Sequence, residues 1–197
     1  MIDAYERIKP LLVFNSEDDF YFLQIIQRHK ENPQLGSHGR LVRNYYINNI
    51  DYLERRYEEI KKLCNFFNAR AMLRLNKRSY RKTAFRSLQK IADVMSNEDY
   101  KYVSKSYISA CGRGNVQKVK RWIIDIDEKN PSLVGEIKDY INTLMPVYAW
   151  DNNKIIAELP TKNGYHLITI PFNVEDFKKK YKDVEVHKDN PVNLYIP

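Results

Sequence analysis

Asp125 and Asp127 lie two positions apart at the end of an apolar run, Trp122-Ile123-Ile124-Asp125-Ile126-Asp127. In an extended strand, residues i and i+2 share a face, so both carboxylates point one way while Ile124 and Ile126 point into a core. Like charges side by side on a sheet repel. A divalent cation is the usual partner that offsets such a pair, because Mg²⁺ takes oxygens from one or two carboxylates and then from phosphates. The chemistry that suits this donor set is two-metal phosphoryl transfer, with Mg²⁺ or Mn²⁺ held by carboxylates beside an attacking hydroxyl.

The elements around the pair decide what joins it. A strand over about 121–127 is followed by a helix that Asn130 caps and Pro131 opens, with Leu133, Val134, Ile137, Tyr140, Ile141 and Leu144 as its apolar stripe. A hairpin comes next, with a strand near 154–159, the turn Thr161-Lys162-Asn163-Gly164 and a strand over 165–172. Asn173 caps another helix, with Glu175 and Asp176 in its first turn and Lys178, Lys179 and Lys180 in its last, as the helix dipole favours. A strand over 184–187 and a short one over 193–196 finish the chain. This order is β-α-β-β-α-β, that of ferredoxin-like and RNA-recognition-motif units. Its first strand is central, flanked by antiparallel third and fourth strands. Asp125 and Asp127 should therefore meet His166, near the start of strand three, and Asp183, just before strand four. The helices should cover the opposite face. Lys162 adds positive charge and Thr161 a hydroxyl, so that with His166 they form a candidate triphosphate site.

Upstream, residues 1 to about 35 read as helical, with Ser16-x-x-Asp19 as a capping box and Phe20, Leu23, Ile25 and Ile26 at helical spacing. Asn32-Pro33 and Gly36-Ser37-His38-Gly39 mark a loop. A second helix spans about 51–67, and a strand near 69–76 places Arg70, Met72, Arg74 and Asn76 on one face. From Arg70 to Ala92 there are eight Lys or Arg and no acid. Such one-sign runs favour a polyanion, and Arg70, Arg74, Lys77, Arg78 and Arg81 are the candidate nucleic-acid contacts. Residues 104–119, including Cys111-Gly112-Arg113-Gly114-Asn115, read as a flexible connection. The expected organisation is α+β: a mainly helical N-terminal part over 1–105 with the basic segment 70–90, and an RNA-recognition-motif-like catalytic unit over 106–197.

The 197 residues are 43% hydrophobic and carry a net charge of +8, enough for a packed core and suited to an anionic partner. Cys64 and Cys111 form no Cys-x-x-Cys pair and the four histidines show no zinc-ligand spacing, which points to reduced thiols. The N-terminus lacks a secretory pattern and no apolar run reaches the length of a membrane span. A soluble, cytoplasmic protein that does not enter a membrane is the expectation.

Three stretches resemble the motifs of the archaeo-eukaryotic primase superfamily, the primase-polymerases. Ile123-Ile124-Asp125-Ile126-Asp127 is similar to the first, an apolar strand ending in two acids. Gly164-Tyr165-His166 is similar to the second, a small residue, any residue, then His. Lys182-Asp183-Val184-Glu185-Val186 is similar to the third, although Lys182 stands where an apolar residue is usual, which leaves Asp189 as the alternative third acid. The resemblance covers about residues 120–197. It implies that Asp125, Asp127 and Asp183 bind Mg²⁺ or Mn²⁺ and that His166 contacts the incoming nucleotide. It also implies a single-stranded DNA template, nucleoside triphosphate substrates and a replicative helicase on another chain, in a bacterial or phage-infected cell. Two further readings stand beside the primase: a non-catalytic single-strand-binding module, and a metal-dependent nucleotidyltransferase that copies no template.

Overall fold

Aromatic and branched residues crowd positions 20–26, and they build a strand where a helix was expected. The computed structural model describes residues 1–35, 39–113 and 119–197. Gly36, Ser37 and His38 of the expected loop, and Gly114 and Asn115 of the expected connection, lie outside the described residues. The chain opens with β1 (Ile2–Asp3) and a single helical turn, α1 (Tyr5–Ile8), before β2 (Asp19–Gln27). Phe20, Tyr21, Phe22, Leu23 and Ile25 are all buried. A strand covered on both faces reads as a continuous apolar run, and any such run contains a subset at helical spacing. Asp19 caps no helix. Its carboxylate accepts the amides of Asn15 at 2.7 Å and Ser16 at 3.1 Å, turning the chain into β2.

β3 (Arg40–Ile47) pairs antiparallel with β2. Next comes α2 (Ile50–Phe67), whose Asn49 cap accepts the Tyr52 amide at 2.7 Å and whose end is turned by Asn68 at φ 46°. Leu53, Tyr57, Ile60 and Cys64 are its buried stripe. β4 (Arg70–Arg74) and β5 (Arg78–Ser79) lead into α3 (Tyr80–Ser96), a 3-10 turn at Tyr100–Lys105 and α4 (Ser106–Cys111). The expected flexible connection is thus helical over 106–111.

The second half supplies β6 (Trp122–Ile126), α5 (Pro131–Thr143), β7 (Ile155–Pro160), β8 (Tyr165–Thr169), α6 (Val174–Lys180), β9 (Glu185–His187) and β10 (Pro191–Ile196). The Asn130 and Asn173 side chains cap α5 and α6 as the sequence suggests. β7, β8, β6 and β9 form an antiparallel sheet in that order, with β6 between β8 and β9. β10 leaves this sheet and inserts between β1 and β4 of the other, whose order is β1-β10-β4-β2-β3, with β5 paired to the start of β2. The class is α+β. The N-terminal part combines this antiparallel sheet with the long helices α2 and α3.

β6 alternates as a strand between two layers must. Trp122, Ile124 and Ile126 pack with Val134, Ile137 and Ile141 of α5 and Phe177 of α6. Ile123 turns the other way and, with Ile168 and Leu159, joins the core of the first sheet. Burying a residue such as Ile123 contributes about 1.5–3 kcal/mol, so this apolar contact holds the two sheets together beside the cleft that Ile123 also lines. Among the described residues no helix is long and apolar enough to cross a membrane.

Candidate active site

The cleft encloses about 520 Å³ between the two sheets. One wall is the open face of β6, β8 and β9 with the β7–β8 turn, presenting Ile123, Asp125, Asp127, His166, His187, Thr161, Lys162 and Asn163. The other wall presents Arg70 and Met72 from β4, Asn193 from β10, and Arg28, Lys30 and Glu31 from the segment after β2.

Asp125 is directly opposite His166 on β8 and Glu185 on β9. Directly paired residues on antiparallel strands share a face, so three polar side chains form a row across the sheet. His166 Nε2 lies 3.2 Å from Asp125 Oδ1. His187 Nε2 lies 3.0 Å from Glu185 Oε2 and 3.9 Å from Asp125 Oδ2. The hydrogen bond from His166 holds the Asp125 carboxyl below the usual carboxylate range despite its partial burial. Asp127 lies one residue beyond the end of β6, exposed, and lines the same cleft.

The hairpin turn is pinned against this strand end. The Thr161 amide donates to the Gly164 carbonyl at 2.9 Å, and the Gly164 amide donates to the Thr161 hydroxyl at 3.0 Å. A Cβ on Gly164 would stand 1.9 Å from the Ile126 carbonyl oxygen and 2.7 Å from the Glu128 amide nitrogen. No real side chain fits there. The missing Cβ lets the turn close on the backbone that carries Asp125 and Asp127, bringing Lys162 and Thr161 into the cleft.

The structure therefore gathers Asp125, Asp127, His166, Lys162 and Thr161 in one cleft. The two choices for a third acid fall elsewhere. Asp183 is exposed before β9 and does not line the cleft. Asp189 is engaged internally: its carboxylate accepts from Arg78 at 2.8 Å and from the Asn76 amide group at 3.1 Å. The acid nearest Asp125 on β9 is Glu185. Glu185 and His187 escaped the sequence reading, although both lie on the strand expected there. Among the described residues no three His, Cys, Asp or Glu side chains are gathered closely enough to hold a metal ion. Asp125 and Asp127 nevertheless fit the two-carboxylate share that Mg²⁺ takes from a protein before phosphate oxygens complete its shell.

Most of the basic run is likewise occupied. Arg70 lines the cleft but is ion-paired with Glu31, its Nε donating to Oε2 at 3.0 Å. Arg74 donates to the Asp189 carbonyl. Lys77 is buried against Asp19 at 2.7 Å. Arg78 is fully buried and donates to the Cys111 carbonyl at 3.0 Å as well as to Asp189. These four cations serve internal partners and, in this arrangement, do not form an open phosphate-binding face. Arg81 is exposed. The cleft's free cations are Lys162, Arg28 and Lys30, none of which has a side-chain partner among the described residues. Arg28 and Lys30 were hidden in the stretch read as helical. Cys64 and Cys111 are buried free thiols.

In comparisons with protein-family models, curated proteins and solved structures, nothing matches this chain.

Proposed function

We propose that the chain is a template-dependent nucleotidyltransferase, a small primase or primase-polymerase acting on nucleoside triphosphates over a single-stranded DNA template. The β6-α5-β7-β8-α6-β9 sheet is its RNA-recognition-motif-like catalytic unit, a reading supported by its element order and its central β6. The single observation that carries the function is the Asp125–His166 pair, 3.2 Å apart, beside Asp127 and facing free cations across a cleft. Carboxylates and cations meet at close range in sites that transfer charged phosphoryl groups.

Asp125 and Asp127 would hold Mg²⁺ or Mn²⁺. Such an ion, when bound, offsets charge on the transferring phosphoryl group and favours ionisation of the attacking hydroxyl. Lys162 extends an ammonium toward the triphosphate, and the Thr161 hydroxyl and the open walls of the turn orient it. His166 keeps Asp125 ionised and presents its imidazole edge to the nucleotide. Arg28 and Lys30 attract the anionic substrate from the opposite wall. Glu185, the cross-strand partner of Asp125 on β9, and His187 in the cleft would supply the donors that Asp183 was expected to supply. A replicative helicase on another chain completes this reading in a phage-infected or bacterial cytoplasm.

The test is primer synthesis and extension with Mn²⁺ and nucleoside triphosphates, comparing the wild type with Asp125→Ala plus Asp127→Ala. Incorporation directed by template sequence, and lost in the double variant, is the expected result. Unchanged incorporation in that variant would overturn the assignment, and incorporation that ignores the template would make the enzyme a terminal or small-molecule transferase. The second reading is a non-catalytic single-strand-binding module. That reading expects salt-sensitive binding without any synthesis.

A further inference from the structure

Helix α3 turns small polar residues inward and an apolar stripe outward. Its buried residues are Thr83 and Ser87, while Phe85 is 61% exposed, Leu88 62% and Met95 53%. Ala92 is exposed between the last two. Positions 85, 88, 92 and 95 are three, four and three residues apart, so they share one face of the helix. This is the spacing of a coiled-coil seam. Single apolar residues on a surface are ordinary, but a contiguous stripe of them marks an interaction face.

The charges of α3 indicate what covers that stripe. Its first turn carries Arg81 and Lys82, its last turn carries Asp93, and Glu98 and Asp99 follow just beyond its end. This order opposes the helix dipole, which favours acids at the start and bases at the end. Helix α6 has the favoured order. Lys82, Asp93, Glu98 and Asp99 make no ion pair among the described residues. A second copy of α3 lying antiparallel would set each basic start against an acidic end and oppose the two dipoles. Side-chain size matches as well. About a two-fold axis near position 90, Phe85 meets Met95 and Leu88 meets Ala92 of the other copy, and each contact occurs twice, as in any isologous interface. A parallel copy would set like charges together. A polyanion would meet three acids at one end of the stripe.

We propose that the chain pairs with a second copy of itself through antiparallel α3 helices, with Phe85, Leu88, Ala92 and Met95 as the seam. None of these four residues lines the cleft, so both sites of the pair stay open. The pairing does not depend on what the cleft does.

The experiment is sedimentation equilibrium of the whole chain at concentrations up to about 200 µM, since pairing follows mass action, in about 0.1 M salt to screen the net charge. The mass of the wild type is expected to double as concentration rises. Leu88→Glu removes the dimer, and Phe85→Ala weakens it about tenfold, as loss of a central aromatic anchor does. Arg81→Glu plus Lys82→Glu gives a monomer, and so does Asp93→Lys plus Asp99→Lys. An equimolar mixture of these two variants associates again, because every reversed end then meets its opposite. Circular dichroism of these surface variants matches the wild type. A wild type that keeps the mass of one chain at every concentration would overturn the pairing. So would a dimer that persists in Leu88→Glu, charge-reversed variants that associate as well as the wild type, or a mixture that associates no better than its components. A monomeric wild type whose affinity for a labelled oligonucleotide falls in Phe85→Ala would also overturn it, and would assign the face to a single strand.

Discussion

Asp125 on β6 and His166 on β8 are direct cross-strand partners, with the imidazole Nε2 3.2 Å from a carboxylate oxygen. The pair couples the strand that carries the acids to the hairpin that carries Lys162. His166→Gln is expected to lower kcat/KM for nucleotide incorporation about 10–100-fold, the worth of a hydrogen bond to a charged group. Most of the loss should appear in KM if the imidazole binds nucleotide. Steady-state extension kinetics on the variant check this, and an unchanged KM with reduced kcat would move His166 from binding to chemistry.

The row His166–Asp125–Glu185 also separates three candidates for the third acid. Glu185→Gln should reduce incorporation at least tenfold, because Glu185 is paired directly with Asp125 across β6 and β9, whereas Asp183→Asn should stay within about twofold of wild type, because Asp183 precedes β9 and has no such pairing. Asp189→Asn should act mainly through stability, because it weakens the partner of the fully buried Arg78. Rates and urea midpoints measured together on the three variants tell these outcomes apart.

Gly164 is tested by a single methyl group. Gly164→Ala forces a Cβ against the Ile126 carbonyl. The hairpin must shift, at a cost of about 1–3 kcal/mol in unfolding free energy. Lys162 and Thr161 move with it, so nucleotide affinity should fall as well. A variant with wild-type stability and affinity would show that the turn does not need the close approach.

Acid sensitivity should concentrate where β2 begins. Burial opposes ionisation of Asp19, but the Lys77 ammonium and the Asn15 and Ser16 amides outweigh it and hold the carboxyl below its ordinary value. The Ser79 hydroxyl and the Arg81 amide lower Asp18 in the same way. The unfolded chain takes up protons at the usual carboxyl pKa of about 3.9, where the folded chain does not. The stability these groups contribute is therefore complete above about pH 4 and is lost as pH falls through their lower folded values. Urea midpoints between pH 6 and pH 2 should fall steeply in the wild type and less steeply in Asp19→Asn.

How much of this was legible depended on how local each signal was. β6, the capped helices α5 and α6, and the hairpin turn follow from spacing and capping residues within a few positions, and they stand where those signals put them. β2 did not, because an apolar run buried on both faces fits a helical period as well as a strand. The basic run shows its charge in the sequence but not its partners: Glu31, Asp19 and Asp189 lie far along the chain from Arg70, Lys77 and Arg78. Arg28 and Lys30 became site residues only when two sheets closed around the cleft, a relationship no single stretch encodes. Glu185 was passed over because the candidates for a third acid, Asp183 and Asp189, were sought on either side of β9 and not on the strand itself.

The placement of β10 has a consequence for how the molecule comes into being. It lies between β1 and β4, so the interior of the first sheet is completed by residues 191–196. During synthesis the ribosome releases β1 and β4 long before the strand that joins them. Until then both edges stand open, and open edges invite pairing with other chains. Contacts this distant in sequence also slow folding. The strap from β9 to β10 ties both walls of the cleft to this pairing, so the cleft takes shape only when residues 191–196 dock.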